Sequence, residues 1–173
     1  MIITFCGHSS CLFNDDIKKQ LKTILGNEII KNPTCKFYLG GYGDFDGFCL
    51  RTLKDLKADS PEIELIFITP YLDKNYSKLE FAKYHYDDVI FPPLENVPRK
   101  FAILKRNEWM VDEADLVIAY VMCQSGLRSY LATRILMQNG FDAYNFAGGF
   151  RLYSSIKTEE ILSKQCYPCG MGK

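Results

Sequence analysis

The chain has 173 residues, of which 47% are apolar, and its 21 basic residues balance its 21 acidic ones. This length allows one domain with a substantial core, and the balanced charge gives no field that would draw the chain onto nucleic acid or a membrane surface. The first residues show no leader pattern, and no run is long enough to cross a bilayer. Seven cysteines without an export signal indicate reduced thiols, so we expect a cytoplasmic protein with neither a membrane nor a nucleic acid as partner.

Apolar runs alternate with amphipathic stretches, which is typical of βαβ units and a parallel sheet. The predicted strands are Ile2–Phe5, Cys35–Leu39, Ile63–Thr69, Val89–Phe91, Leu116–Val121 and Ala143–Phe146. The predicted helices are Ile17–Leu25, Phe45–Leu56, Leu79–Tyr84, Arg99–Val111, Leu127–Gln138 and Phe150–Leu162. Gly26 and Gly140 are expected to stop the first and fifth helices. The sequence therefore predicts an α/β three-layer sandwich with a mainly parallel, Rossmann-like sheet.

A cysteine follows the fifth predicted strand. Cys123 opens a short loop before the helix that begins at Leu127, where backbone N–H groups and the helix N-terminus favour a thiolate. Arg128 adds a fixed positive charge, and Gly126 lets the backbone curl without a Cβ clash. Cys123 is either a reactive thiol or a buried, inert cysteine at a strand end.

The motifs of residues 123–129, 132–136, 138–141 and 145–150 carry a family resemblance. With them, the segment from Tyr120 to Tyr153 resembles the second half of a rhodanese domain, as attached to pyridine-nucleotide disulfide reductases. The resemblance implies a persulfide on Cys123 and transfer of its sulfur to a small-molecule or thiol acceptor. Four residues separate Cys123 from Arg128, as in rhodaneses, whereas cysteine phosphatases use a loop one residue longer. The implied active-site loop comprises Gln124, Ser125, Gly126, Leu127 and Ser129, beside the catalytic pair Cys123 and Arg128.

A second set of motifs lies upstream, at residues 4–8, 37–46, 69–71, 86–92 and 106–115. With them, residues 1–120 resemble the YpsA-like branch of the SLOG superfamily, Rossmann-type domains related to DprA and the Lonely Guy enzymes. The resemblance implies a nucleotide-type ligand and no required cofactor. N-glycosidase activity like that of the Lonely Guy enzymes is disfavoured, because their glycine motif ends in a Glu that residues 40–46 lack.

The glycine loop after the second predicted strand is a candidate ligand site. Gly40, Gly41 and Gly43 lie between a strand and a helix, where backbone N–H groups can hold an anion. The same glycines also suit a tight turn. Asp46 either orients this loop, contacts a sugar hydroxyl or is a plain charge in the first helical turn.

Two other places supply candidate ligand residues. Gly7 and His8 end the first strand, beside the crevice where open α/β sheets bind ligands. Arg106 and Asn107 share a helical face with Met110, which is either a ligand edge or ordinary packing and surface.

The remaining histidines, aromatics and thiols are interpreted as structural. Trp109 is assigned to the core, and His85 to a packed or solvated position. The thiols of Cys6, Cys11, Cys35 and Cys49 are expected to serve packing. Cys166 and Cys169 lie in the tail. They are either part of a frayed chain end, a redox-active pair or half of a zinc site, and the sequence does not decide between these alternatives. No metal site is predicted.

These observations predict three parts: a SLOG-like nucleotide-binding portion over 1–120, a rhodanese-like segment over 121–162 that completes the same sheet, and a flexible tail over 163–173. The predicted function is sulfurtransferase or sulfur-carrier chemistry at Cys123. The alternative is a non-catalytic module that binds or senses a nucleotide derivative through Gly40–Gly43. Since loops after parallel strands emerge on one carboxyl edge, we expect Cys123 to face that glycine loop.

Overall fold

The structure is a computed structural model that describes residues 1–7, 9, 13, 15–72, 77–120, 127–138 and 140, with Arg128 described by its backbone alone. The chain divides into two compact units, residues 1–120 and 121–173. Several predictions lie outside the described residues: the loop from Cys123 to Gly126, His8, Cys11, the strand over 143–146, the helix over 150–162 and the tail with Cys166 and Cys169.

The first unit alternates strands and helices. Its elements are β1 (Ile2–Gly7), α1 (Asp15–Lys31), β2 (Lys36–Leu39), α2 (Gly43–Lys57), β3 (Glu64–Ile68), α3 (Ser77–His85), β4 (Asp88–Ile90), a 3₁₀ turn (Arg99–Phe101), α4 (Ala102–Asp112) and β5 (Leu116–Tyr120). In the second unit the described residues form α5 (Leu127–Gln138), which has the predicted bounds. None of the described helices has both the length and the apolar character needed to cross a membrane.

The described strands form one five-stranded sheet in the order β4-β3-β2-β1-β5, and every neighbouring pair is parallel. The predicted α/β class with a Rossmann-like parallel sheet is confirmed. The chain moves outward from β1 to β4 and then returns to the other side of β1 for β5. Because crossovers between parallel strands are right-handed, α1, α2 and α3 cover one face and α4 covers the other.

The side chains of each strand alternate between these two helical layers. The face under α1 and α2 contains the larger core cluster, which includes Ile3, Phe5, Phe37, Leu39 and Leu65. The opposite face packs against α4 through Tyr38, Ile66, Ile68, Met110 and the partly buried Trp109. The reversal of chain direction beside β1 leaves a crevice at the carboxyl ends of the strands, where ligands bind in such sheets.

The predicted end of the first helix at Gly26 is wrong, since α1 continues to Lys31. The buried stripe Leu21, Leu25 and Ile29 runs past the glycine, so packing against the sheet holds the last turn in place. A single helical glycine costs only about 1 kcal/mol relative to alanine and does not by itself end a helix.

Candidate ligand site at the carboxyl edge of the sheet

A cavity of about 160 Å³ lies at the carboxyl ends of β1 and β2, against α4 and the start of α2. Five predicted ligand residues line it: Gly7, Gly40, Asp46, Arg106 and Asn107. Gly41 and Gly43 do not line this cavity, and His8 lies outside the described residues. Residues that the sequence supplies from three distant segments therefore meet at one place.

Arg106 is the buried charge of the site, with 1% of its surface exposed. Its Nη1 donates to the carbonyl oxygens of Gly40 at 2.6 Å and Ile68 at 2.8 Å. These carbonyls stand at the ends of β2 and β3, so the guanidinium ties both strand ends to α4. A Cβ on Gly40 would lie 2.4 Å from Nη1, so a larger residue at this position would displace the guanidinium.

Asp46 is the acidic group of the site and sits in the first turns of α2. Its Oδ2 accepts the Tyr42 N–H at 2.9 Å, so the carboxylate reaches back to the residue that precedes the helix, as in a capping box. Burial raises the pKa of Asp46, and the Tyr42 amide and the charges of Arg106 and Lys78 oppose that rise. Asp46 thus orients the glycine loop, which is one of the roles expected of it.

The glycine loop depends on backbone conformations that other residues rarely adopt. Gly41 has φ +66° and Gly43 has φ +84°, and a Cβ on Gly43 would lie 2.6 Å from the Cα of Ser9. Beside Gly43, the Asp44 N–H donates to the Ser9 carbonyl at 3.0 Å. The amides of Tyr42 and Asp44 are therefore bonded to the chain's own oxygens, and an anion at the helix N-terminus would compete with them.

Two side chains at this edge were missed by the sequence analysis. The ring of Tyr42 lies 3.5 Å from Lys78 Nζ and 5.3 Å from Arg106 Cζ, measured to the ring centroid. Lys78 also donates to the Gly41 carbonyl. The position of Tyr42 inside a glycine loop is a signal that the sequence offers. Nothing in the sequence around Lys78 marks this residue, because α3 comes close to the loop only in the folded chain.

The surroundings of the described cysteines do not favour a thiolate. Burial and the charge of Asp46 raise the pKa of the Cys6 thiol, which lines the cavity. Burial also raises the pKa of Cys35, and Cys49 is fully buried. A raised thiol pKa leaves little thiolate at neutral pH, in keeping with the packing role predicted for these residues.

The other residues assigned to packing are found in packed positions. Trp109 stacks on Tyr38 with ring centroids 5.8 Å apart and an angle of 7° between the planes. His85 lies 3.9 Å from the ring of Phe81, and its Nδ1 contacts Lys54 Nζ. Within the described ranges, no group of three or more His, Cys, Asp or Glu side chains is arranged to hold a metal ion.

The second unit is described here through α5 by itself. Ser129 and Thr133 are its buried polar residues, and the Thr133 hydroxyl donates to the Ser129 carbonyl at 2.9 Å. Leu127, at the start of the helix, is 64% exposed. Because the loop over 123–126 and the Arg128 side chain lie outside the described part, their catalytic roles stay predictions.

In comparisons with known proteins, no family model and no curated protein matches this chain.

Proposed function

We propose that residues 1–120 bind a nucleotide-type ligand in the cavity at the carboxyl ends of β1 and β2. One observation carries the proposal: Asp46 of α2 and the neighbouring Arg106 and Asn107 of α4 come from two distant parts of the sequence and line one cavity at the carboxyl edge of a parallel sheet, beside β1, where the chain direction reverses. This is the position at which open α/β sheets bind ligands, and it fits the expected SLOG-like role of this portion.

The chemistry of the lining supports a ligand that has both hydroxyl groups and negative charge. An ionised Asp46 carboxylate only accepts hydrogen bonds, so it suits a sugar hydroxyl. Asn107 is exposed and offers both a donor and an acceptor. Arg106 adds a positive charge to the lining, which favours an anionic group nearby.

The size of the cavity limits how much of the ligand enters. Pockets that enclose a whole drug-sized ligand have volumes of about 300–1,000 Å³, whereas this cavity has about 160 Å³. We therefore expect a sugar- or phosphate-sized group inside the cavity and the base outside it.

Calorimetric titration of the full chain with adenosine 5′-monophosphate, ribose 5-phosphate and inorganic phosphate tests this proposal. Asn107→Ala is expected to weaken the binding of ribose 5-phosphate about tenfold, the effect of losing one hydrogen bond of about 1.4 kcal/mol. Glu108→Ala is the matched control, because Glu108 is the next residue of α4, does not line this cavity and pairs with Lys105 at 2.6 Å. Equal affinities for the two variants, or no binding of any probe, would contradict the proposal.

A second candidate function is sulfur transfer at Cys123, and the start of α5 favours it. The helix begins at Leu127, four residues after Cys123, as the rhodanese-like reading requires. In the proposed cycle the Cys123 thiolate attacks the outer sulfur of thiosulfate, the S–S bond breaks, and sulfite leaves with the electron pair. Cyanide then removes the outer sulfur of the persulfide as thiocyanate and regenerates the thiolate.

Intact mass measured before and after thiosulfate tests this second candidate. We expect a gain of one sulfur that cyanide removes and that the Cys123→Ser variant does not show. Cys6→Ser is the control, because a thiol with a raised pKa should not contribute to the gain. A wild-type chain that takes up no sulfur would exclude this function.

A further inference from the structure

A second cavity, of about 310 Å³, lies on the other side of the glycine loop and contains an unusual lysine. Its lining includes Gly41, Phe67, Lys78, Phe81 and Tyr86. Among the described residues, Lys78 is the basic one that lines this largely apolar and aromatic cavity. The nucleotide-type ligand proposed above does not use this space.

We propose that Lys78 is a covalent attachment site, whose amine condenses with a small anionic aldehyde or ketone to form an imine in this cavity. A lysine serves this chemistry when its surroundings favour the neutral amine, since only the neutral form has a free electron pair. The question is whether the neighbours of Lys78 favour the ammonium or the amine.

The neighbours act in both directions, and burial dominates. The Gly41 carbonyl and the Tyr42 ring, 3.5 Å from Nζ, favour the ammonium form. Loss of solvent and the positive charge of Arg106 favour the neutral amine, and the net result is a lowered pKa for Lys78. The charge of Asp46 opposes this shift, but its own pKa is raised by burial. Burial thus favours the uncharged form of both groups.

The reaction balances without a further reagent. The neutral amine of Lys78 attacks the carbonyl carbon, a C–N bond forms, and the carbonyl oxygen takes up a proton to give a carbinolamine. The nitrogen gives up its two protons through solvent, one to the carbonyl oxygen and one to the resulting hydroxyl, which leaves as water and yields the imine. The positive charge of Arg106, which acts on Lys78, favours a carbonyl compound that carries a phosphate or a carboxylate.

Lys83 provides a matched control on the same helix. It pairs with Glu80 at 2.6 Å, its side chain is 63% exposed, and this pairing raises its pKa. Exposure alone would make Lys83 the more accessible target. A preference for Lys78 therefore cannot come from accessibility and has to come from the chemistry of its cavity.

The test is reductive trapping on the full chain at pH 7, with pyridoxal 5′-phosphate as the anionic aldehyde and borohydride as the hydride donor that fixes the imine. Peptide mass mapping is expected to show at least about fivefold more adduct on Lys78 than on Lys83, because a lowered pKa leaves more of Lys78 in the neutral, reactive form. The preference should disappear in guanidinium chloride, where the cavity no longer exists. Lys78→Arg should lose the Lys78 adduct and keep that of Lys83, and Lys83→Arg should do the reverse.

Equal labelling of the two lysines in the folded chain, or more adduct on Lys83, would overturn the proposal. The pH profile provides a second readout that does not depend on the variants: the Lys78 adduct should reach its plateau at a lower pH than the Lys83 adduct. A Lys78 profile at or above that of Lys83 would equally overturn the proposal. Neither result bears on ligand binding in the cavity that Asn107 lines, so the two proposals fail separately.

Discussion

At the scale of single residues, the site depends on glycines that let side chains approach the backbone. Gly40 leaves room for the Arg106 guanidinium, and Gly7 leaves room for the ring of Phe45, which would lie 2.2 Å from an added Cβ. The motifs of the sequence mark both glycines, but they do not show what fills the space. The side chain that fills the space beside Gly40 belongs to Arg106, which lies 66 positions away in the sequence.

Gly40→Ala tests the contact between this glycine and Arg106. The added Cβ would force the guanidinium away from the Gly40 carbonyl, so we expect a loss of about 2 kcal/mol in the free energy of unfolding. Urea unfolding measures this loss, and calorimetry should show weaker ligand binding in the same variant. An unchanged unfolding midpoint would mean that the guanidinium does not hold the strand end.

Asp46→Asn tests the buried carboxyl. A carboxyl whose pKa is raised by folding stays protonated to a higher pH in the folded chain than in the unfolded chain. Its contribution to stability is therefore fully present below the ordinary pKa of 3.8 and is lost as pH rises through the raised value. As pH rises above about 3.8, we therefore expect the free energy of unfolding of the wild type to fall. The fall should be less steep in Asp46→Asn. Urea unfolding over this pH range measures both slopes, and equal slopes in Asp46→Asn and the wild type would contradict this effect of burial.

At the scale of helices and strands, the apolar pattern was sufficient for the type and order of the elements that the structure describes, and most of their predicted bounds lie within two or three residues of the observed ones. The error at Gly26 shows the limit of local signals, because a helix ends where tertiary packing stops supporting it. Arg106 shows the same limit. Its helical spacing made it a candidate ligand residue, but its bonds to the ends of β2 and β3 depend on strands that lie far away in sequence.

Two alanine substitutions of glycines should have opposite effects on stability. Gly26 lies in the middle of α1 with nothing within 4 Å of an added Cβ, so Gly26→Ala should stabilise the chain by about 0.5–1 kcal/mol. Gly43 has a positive φ and lies against the Ser9 backbone, so Gly43→Ala should destabilise it by about 1–3 kcal/mol. Thermal and urea unfolding of both variants give the two signs, and a shared sign would contradict this account of the two positions.

At the scale of the whole molecule, the chain has two compact units, and the five-stranded sheet belongs to the first. Both core clusters and the candidate ligand cavity also lie within residues 1–120. The sequence showed no linker at this boundary, because only short loops separate the predicted elements around it. The boundary between two units is defined by the density of contacts in space. The pattern of residues along the chain does not contain this information.

Truncation after Tyr120 separates the two candidate functions. We expect residues 1–120 to unfold cooperatively and to retain ligand binding, since they hold the sheet, its cores and the cavity. The truncated chain should take up no sulfur from thiosulfate, because Cys123 is removed. Circular dichroism with urea checks the fold. Loss of ligand binding by a folded truncated chain would contradict the assignment of the site to the first unit.

The most direct test of the central claim is a nuclear magnetic resonance titration of the ¹⁵N-labelled full chain with adenosine 5′-monophosphate. Binding in the proposed cavity predicts that the backbone amides of Gly7 and Gly40 and the side-chain amide of Asn107 shift and saturate together. The Asn107→Ala variant lacks the side-chain signal and thereby assigns it. The amide of Gly26 in α1 should stay unchanged. Shifts confined to residues away from the cavity, or no shifts with excess nucleotide, would contradict the claim.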